Sequence, residues 1–585
     1  MTRQEILYKL SMLPQGGITV KRIKGKNGKV YEYRFLQWRE NGRQRSRALK
    51  EEEIPAIQSQ LEERKRLERL LEAMQVDKKA PVSFSTQIRV GTDLLTFVAP
   101  VKDLKRRSGY NDIERYIYGD GYNRVFILYG LRRTGKTTLI KQVISQMSDA
   151  DQAKAAFIQV TVKDDLAKLN KDLKKLEDLG YKYVFIDEVT LMSDFIEGAA
   201  LLSDIYAAVG MKIVLSGTDS LGFWITKSNE LFDRCFLLHT TFIPYREFSS
   251  VLDVHGIDQY IRYGGTMTMS GKHYNDSVFS DKKSTDEYVD SAIAQNIQHS
   301  LKSYQYGGHF RHLFSLYEKD ELTGAINRVV EDMNHRFAID VLERDFKSND
   351  LGLSANNLRK DRTRPTTVLD DIDIKAFTER LRKMLDIKNR GERIVPIDEG
   401  HVEEIKEYLS ALDLIQEINI NDITNIGDQK KRIVFSQPGL RYSQAKFFIE
   451  SLSSDALFGY LSAEERKRVI TRILHDIEGR ISEEVVLLET KLAKPQKDVF
   501  QLQFSNGEFD MVVSDPNSLE IQIFEIKYSK ERVPGQARHL LDKQKCAAAE
   551  FRYGKITQKA VLYRGETCKE GTIDYINIEE YLSKL

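Results

Sequence analysis

The stretch Tyr129–Ile140, YGLRRTGKTTLI, constrains this chain more than any other. Gly130, Gly135, Lys136 and Thr137 stand in the order G-x4-G-K-T, after the apolar run RVFILY and before a helical stretch. That pattern, in that context, makes a loop whose backbone N–H groups converge on phosphates. The following helix offers its N-terminus to the anion. Lys136 is expected to reach the β- and γ-phosphates and the Thr137 hydroxyl to ligate Mg²⁺. Arg133, Thr134 and Thr138 complete the expected nucleotide-binding set around Gly130 and Gly135. The cofactors this implies are ATP and Mg²⁺.

A phosphate loop needs a carboxylate to hold the magnesium, and the run YKYVFIDE supplies one. Asp187 ends an apolar strand, where α/β ligands gather. Glu188 is placed to polarise an attacking water. Asp187 follows Lys136 by 51 residues with one strand, AAFIQVTV, between, an order found in P-loop enzymes that carry a catalytic glutamate. The next strand ends IVLSGTDS, and either Ser216 or Thr218 is a candidate reader of the γ-phosphate. Arg234 has two readings: an arginine finger on bound nucleotide, or a surface partner of Asp233.

From about residue 100 to 245, short apolar runs alternate with helical stretches: RVFILY, AAFIQVTV, YKYVFID, MKIVLSG and CFLLHTTF. That alternation predicts a parallel sheet covered by helices on both faces. The expected divisions are a sheet-plus-helix module at 1–75, the P-loop domain at 86–250, a helical lid at 251–350, a winged-helix region at 351–458 and a terminal domain at 459–585. The linker VDKKAPVSFS spans 76–85 and the polar stretch NDLGLSANNLRKDRTRPTT spans 349–367. The wing is expected from the strand pair EINI and KRIVFS, and the terminal domain opens on a helix with the capping-box spacing of Ser462 and Glu465.

Net charge is only +2, yet Lys21–Lys50 holds eleven basic residues against Glu32 and Glu40. Positive field is therefore local. The segment reads as strands, with hairpin signals at Asn27-Gly28 and Asn41-Gly42 and alternating Tyr31, Tyr33 and Phe35. A three-stranded sheet backed by the helix at 51–74 can enter a DNA major groove. The other reading is a solvated basic face or a docking module for protein. Cys235, Cys546 and Cys568 are scattered, which argues against a disulfide framework and a zinc site. The N-terminus has no apolar signal core, and no run approaches the ~18 apolar residues of a membrane span. The expected location is the cytoplasm, with no membrane partner.

The order YGLRRTGKTTL, YVFIDEV, LSGTDS, FDR…FIPYREF and YIRYGGTM resembles the prokaryotic AAA-type ATPases often called archaeal ATPases. The likeness covers roughly residues 100–450. It includes the Pro244…Glu247-Phe248 core and Gly264-Gly265, with Thr266-Met267 where that family has a proline. QPGLRYSQAKFFI at 437–449 is similar to the family's entry to its terminal domain. The resemblance implies a winged helix and then a nuclease-like domain; AAA-type ATPases often form rings, in which an arginine finger would act across subunits, so a homo-oligomer is one expectation and the action of Arg234 in cis or in trans stays open.

Near the C-terminus stand GRISEEVVLLE, GEFDMVV and LEIQIFEIKYSK. Glu525 and Lys527 differ by two, so they leave one face of a strand. Hairpin pairing around the turn at Asp515–Ser518 would bring Asp510 beside them. Two carboxylates can hold a divalent cation on a scissile phosphate, and Lys527 can position or activate the water. Glu483 on the preceding helix is a further candidate ligand, with Glu484 its nearest rival. The set resembles the PD-(D/E)xK nuclease fold, with Phe509 in place of that fold's proline. Three readings stand: a nuclease, a nuclease fold that only binds, and a surface hairpin of ordinary charges.

The whole reads as an α/β chain: a P-loop NTPase sheet with helical lid and winged helix, an N-terminal three-stranded sheet plus helix, and a restriction-endonuclease-like C-terminal domain. The expected function is an ATPase acting on DNA, its nucleotide state gating a Mg²⁺-dependent nuclease. The alternative is an ATP-dependent switch or scaffold with a binding-only terminal domain, in genome defence or on a mobile element.

Overall fold

The computed structural model describes the chain apart from residues 1–5, 7–8, 11, 25–29, 41–42, 77–82, 122, 193, 196–198, 219–232, 241, 268–277, 304–309, 348–396, 425–429 and 453–461. The two Asn-Gly turns, the polar stretch 349–367 and the first part of the expected winged helix therefore lie outside the described residues. The chain divides into two units, Met1–Phe84 and Ser85–Leu585.

In the first unit, β1 (Gly17–Lys24), β2 (Val30–Glu40) and β3 (Arg43–Ala48) form an antiparallel sheet. Helix α1 (Ile54–Val76) packs Ile57 and Leu61 on Leu36, with Ile18, Trp38 and Leu49 around them. The register sets Arg34 opposite Val20, Arg47 opposite Leu36 and Arg45 opposite Trp38. Residues directly opposite share a face. These arginines therefore lie on the helix-bearing face, not on the open one. The open face carries Thr19, Lys21, Tyr33 and Phe35, with the Lys21 ammonium 5.1 Å from the Phe35 ring centre. Lys21, Arg22, Arg34, Arg45, Arg47 and Lys50 are all exposed.

The second unit begins with a six-stranded sheet. Its strands are β4 (Gln87–Arg89), β5 (Val125–Tyr129), β6 (Ala155–Gln159), β7 (Tyr183–Asp187), β8 (Lys212–Gly217) and β9 (Cys235–His239), in the order β4-β6-β7-β8-β5-β9. Every pair is parallel except β4 with β6. Val125, Ile127, Leu128, Val184, Phe185 and Ile186 are fully enclosed, which is why these strands read as continuous apolar runs. In space, the strand between the phosphate-loop strand β5 and the Asp187 strand β7 is β8. The loop leaves β5 into α2 (Lys136–Gln146), and α3 (Leu166–Asp178) links β6 to β7.

Helices α4 (Tyr245–Ser250), α5 (Ile257–Tyr263), α6 (Leu322–Lys347), α7 (Glu399–Ala411), α8 (Pro438–Leu452) and α9 (Ala463–Ala493) follow. The expected cap of α9 forms: Ser462 N donates to Glu465 at 2.9 Å and Glu465 N to Ser462 Oγ at 3.3 Å. An eight-stranded sheet completes the chain. It comprises β10 (Ile415–Asp422), β11 (Lys430–Phe435), β12 (Asp498–Gln503), β13 (Glu508–Asp515), β14 (Glu520–Ile526), β15 (Lys555–Tyr563), β16 (Cys568–Glu570) and β17 (Ile573–Asn577), in the order β11-β10-β12-β13-β14-β15-β17-β16. Helix α10 (Lys543–Tyr553) packs Cys546 and Ala549 against it, and α11 (Ile578–Ser583) closes the chain.

This sheet takes strands from both sides of the expected boundary at 458/459. The strand pair read as a wing, β10 and β11, is an edge of the C-terminal sheet, because β10 runs parallel to β12 with Asn419 opposite Phe500. Pairing with β12 satisfies the backbone groups that a free strand edge would leave open.

Candidate functional site

The phosphate loop is wound tightly. Gly130 has φ +138°, and a Cβ there would lie 2.1 Å from the Thr240 carbonyl oxygen, so no other residue fits without moving the chain. Thr134 is enclosed and its hydroxyl donates to Leu131 O at 2.8 Å. Lys136 Nζ donates to Gly130 O and Leu131 O, each at 2.8 Å. Burial pushes its pKa down to about 8, while Glu188 and Asp187 pull it back up. Thr138 lines a small cavity with Gly135, Arg107 and Met267.

Asp187 stands at the C-terminal end of β7 and accepts two hydroxyls. Thr137 Oγ1 donates to its Oδ2 at 2.9 Å, and Ser216 Oγ, from the tip of β8, donates to its Oδ1. Glu188 follows in the left-handed region at φ +57°, a conformation that costs a non-glycine residue free energy and is often kept at working sites. Burial raises the Glu188 pKa and Asp187 adds to the rise, with Lys136 opposing. Thr218 Oγ1 donates to Glu188 at 3.3 Å, and Asn296 Nδ2 donates to Thr218 O at 3.0 Å. The two candidate readers thus have separate partners, Ser216 on Asp187 and Thr218 on Glu188.

Arg107 was not singled out by any sequence motif. Its guanidinium donates to Thr134 O in the phosphate loop, to Phe242 O at 3.0 Å and to Glu247 on α4. Glu247 also accepts from Ser108 N at 2.9 Å. Burial alone would raise its carboxyl, but Arg107 and Ser108 hold it below the ordinary value. The Glu of PYREF is thus a brace on the phosphate loop. The paired glycines allow two close approaches: a Cβ on Gly264 would lie 2.3 Å from Tyr260 O, and one on Gly265, at φ +99°, 2.7 Å from Cα of Gln437, the residue before α8. The departure at Thr266-Met267 also has a use. Met267 N donates to Arg133 O at 2.9 Å, a bond that proline lacks the N–H to make. Arg133 itself lies over the Tyr288 ring.

Arg234 is not brought to this pocket. Its backbone carbonyl accepts from Val125 N at the start of β5, so it lies at the sheet edge opposite the phosphate loop. Its guanidinium pairs with Asp204 at 3.0 Å, and Asp233 pairs with Arg124 instead. The five residues of β5 span roughly 16 Å, too far for Arg234 to touch its own chain's nucleotide.

The C-terminal residues do converge. Lys527 Nζ lies 3.1 Å from Asp510 Oδ2 and 2.7 Å from Glu525 Oε2. Asp510 Oδ2 also accepts from Ile526 N at 2.8 Å. Burial pushes the Glu525 carboxyl far up and Asp510 adds to it. Burial acts the same way on Asp510, but Lys527 and the Ile526 N–H outweigh it and lower its pKa. Glu525 Oε1 is enclosed without a hydrogen-bond donor, an acceptor that a divalent cation would satisfy.

Glu483 faces this group electrostatically, yet it is held by Arg480, and Arg432 lies 3.8 Å away. As a metal ligand it is therefore already engaged, because two guanidiniums compete for it. Glu484 is tied to Arg432 and Arg441 at 2.9 and 2.7 Å. Among the described residues no three His, Cys, Asp or Glu side chains are arranged to hold a metal ion. Sequence reasoning missed Gln501, an enclosed amide without partners on β12, and the contacting pair Lys545 and His539 beside the cluster. Gln501 sits between apolar neighbours in VFQLQ, and that was its one visible signal.

Residues 122–249 match the family model described as an AAA domain. Among solved structures, S. cerevisiae Hsp104 in complex with casein is similar at 16% identity and TM-score 0.23, over 27% of this chain and 31% of that one. This chain thus spans under a third of the Hsp104 chain. The Aeropyrum pernix ORC1 protein in complex with DNA aligns at 12% identity and TM-score 0.22, over 62% of this chain and 98% of that one. Katanin aligns at 12% identity and TM-score 0.18, over 55% and 89%. No curated protein matches. The chain carries an AAA-type P-loop ATPase domain on an α/β scaffold. Among the described residues no helix is long and apolar enough to cross a membrane.

Proposed function

We propose that this protein binds and hydrolyses ATP and acts on DNA, with the nucleotide state gating a C-terminal, Mg²⁺-dependent nuclease-like site. Lys136 and the loop amides bind the phosphates, and Asp187 with Thr137 would hold Mg²⁺, which stabilises phosphoryl charge when bound. Glu188 orients the attacking water. Asp510 and Glu525 would hold a second divalent cation, and Lys527 positions the nucleophilic water. DNA is held by exposed cations such as Arg34, Arg45 and Arg47 of the N-terminal unit, through its phosphates.

The observation that carries the nuclease reading is the convergence of Lys527 on Asp510 and Glu525. One observation favours the alternative, a binding-only platform: Arg480 and Arg432 engage Glu483, the third acid. The test is cleavage of labelled single- and double-stranded DNA by purified protein in Mg²⁺ or Mn²⁺, beside Lys527→Ala. Cutting that disappears in the variant supports the nuclease. DNA bound but never cut supports the platform.

A further inference from the structure

A cavity of about 460 Å³ opens between α6, β10, β11 and α9, within the size range of small-ligand pockets. Arg432, Arg441, Arg480 and Glu484 line it, and their side chains are only 10, 5, 14 and 2% exposed. Glu484 Oε1 accepts from both Arg432 and Arg441. Arg480 is taken by Glu483. Three enclosed guanidiniums thus share two carboxylates, and Arg432 Nη1 makes no hydrogen bond, its nearest carboxylate being Glu483 at 3.8 Å. Burying a charge without full pairing is costly. Burial and the neighbouring Arg480 push the Arg432 pKa down to about 10.

The mouth adds Arg336 and Lys431, which are 69 and 52% exposed and pair with Asp332 and Glu417 outside the cavity lining. Among the described residues, the acids in the lining are Asp340 and Glu484. The lining also carries apolar Val341, Ile420 and Phe337, with the Arg441 guanidinium 3.9 Å from the Phe337 ring centre. Five cations against two acids among the described lining residues, with Phe337, Val341 and Ile420 beside them, match a ligand with an anionic head and a flat apolar body.

We propose that this cavity binds a nucleotide monophosphate unit, its phosphate on Arg432 Nη1 and the mouth cations and its base against Phe337 and Val341. The unit is either a free nucleotide or the phosphorylated end of a strand. This site is separate from the phosphate loop and does not depend on DNA being cut. A bound phosphate would share Arg432 and Arg480 with Glu483, the carboxylate facing Asp510.

The test is calorimetric titration of the full-length Lys136→Ala protein with dAMP, with 5′-phosphorylated dT trimer, and with deoxyadenosine and unphosphorylated trimer as controls. The expected result is one site per chain for a phosphorylated ligand, weakened about tenfold or more in Arg336→Glu/Lys431→Glu, whose exposed changes leave the core intact. Binding of dAMP identifies a free nucleotide as sufficient; binding of the trimer alone identifies a strand end. The proposal is overturned if neither phosphorylated ligand binds at millimolar concentration, if the controls bind equally well, or if the double charge reversal changes nothing.

Discussion

The backbone N–H of Tyr245 donates to Glu489 Oε1 at 2.8 Å. That one bond fastens α4, whose Glu247 braces the phosphate loop, to the end of α9, whose Glu483 faces Asp510. A second tie runs from α5: Asp258 contacts the Tyr528 hydroxyl and Arg564, and Tyr528 directly follows Lys527. The nucleotide pocket and the C-terminal acids are thus joined through packed, hydrogen-bonded groups, the kind of contact that can carry coupling when it has two arrangements.

Glu489 gives this joint a pH signature. Burial raises its carboxyl from 4.5 to about 7, against the Tyr245 N–H and Tyr260, which favour the anion. The folded state therefore holds the proton more tightly than the unfolded chain. The Glu489 contribution to stability is full below pH 4.5 and is lost as pH rises to about 7, by on the order of 3 kcal/mol. Glu489→Gln should flatten that fall, as read by urea midpoints across the window. An unchanged slope would place the titration elsewhere.

Lys136→Ala should abolish ATP hydrolysis, since Lys136 is the loop's one expected γ-phosphate cation and sits enclosed within it. Phosphate release is the measurement. Turnover at the wild-type rate would remove the phosphate-loop assignment.

Glu188→Gln should keep ATP binding and slow cleavage by about 10²–10⁴-fold, the usual contribution of a positioned general base. Binding is read with a fluorescent nucleotide and cleavage in a single turnover. Loss of binding instead would make Glu188 structural.

Arg107 and Glu247 are 10 and 6% exposed in their side chains. Removing either partner leaves a buried charge, at a cost of about 3–5 kcal/mol. Arg107→Ala should also weaken nucleotide binding, because the guanidinium ties Thr134 O in place. The double variant Arg107→Met/Glu247→Leu should be more stable than either single alanine variant in denaturant melts. Singles without effect would make the brace incidental.

Much of this was legible in the sequence. The run VFILY before GLRRTGKT and the run YVFID are apolar throughout, so a parallel sheet with Asp187 at its tip follows from burial on both faces. Glu525-x-Lys527 reads as one face because strand period is two. Arg107 was illegible, since it acts from a segment with no motif and reaches Thr134 and Glu247 only through the fold. The arginines of β3 were legible only in part. Their density was visible, but their face depends on register with β2. The edge pairing of β10 with β12 joins residues about 80 positions apart, and no local signal announces a contact of that range.

The measurement that tests the account most directly is Mg²⁺-dependent DNA cleavage by the wild-type, Lys136→Ala and Lys527→Ala proteins, each with and without ATP. The wild type should cut in a way that changes with ATP, Lys136→Ala should show no ATP response, and Lys527→Ala should not cut. Cutting that ignores ATP in every protein, or that survives Lys527→Ala, would contradict it.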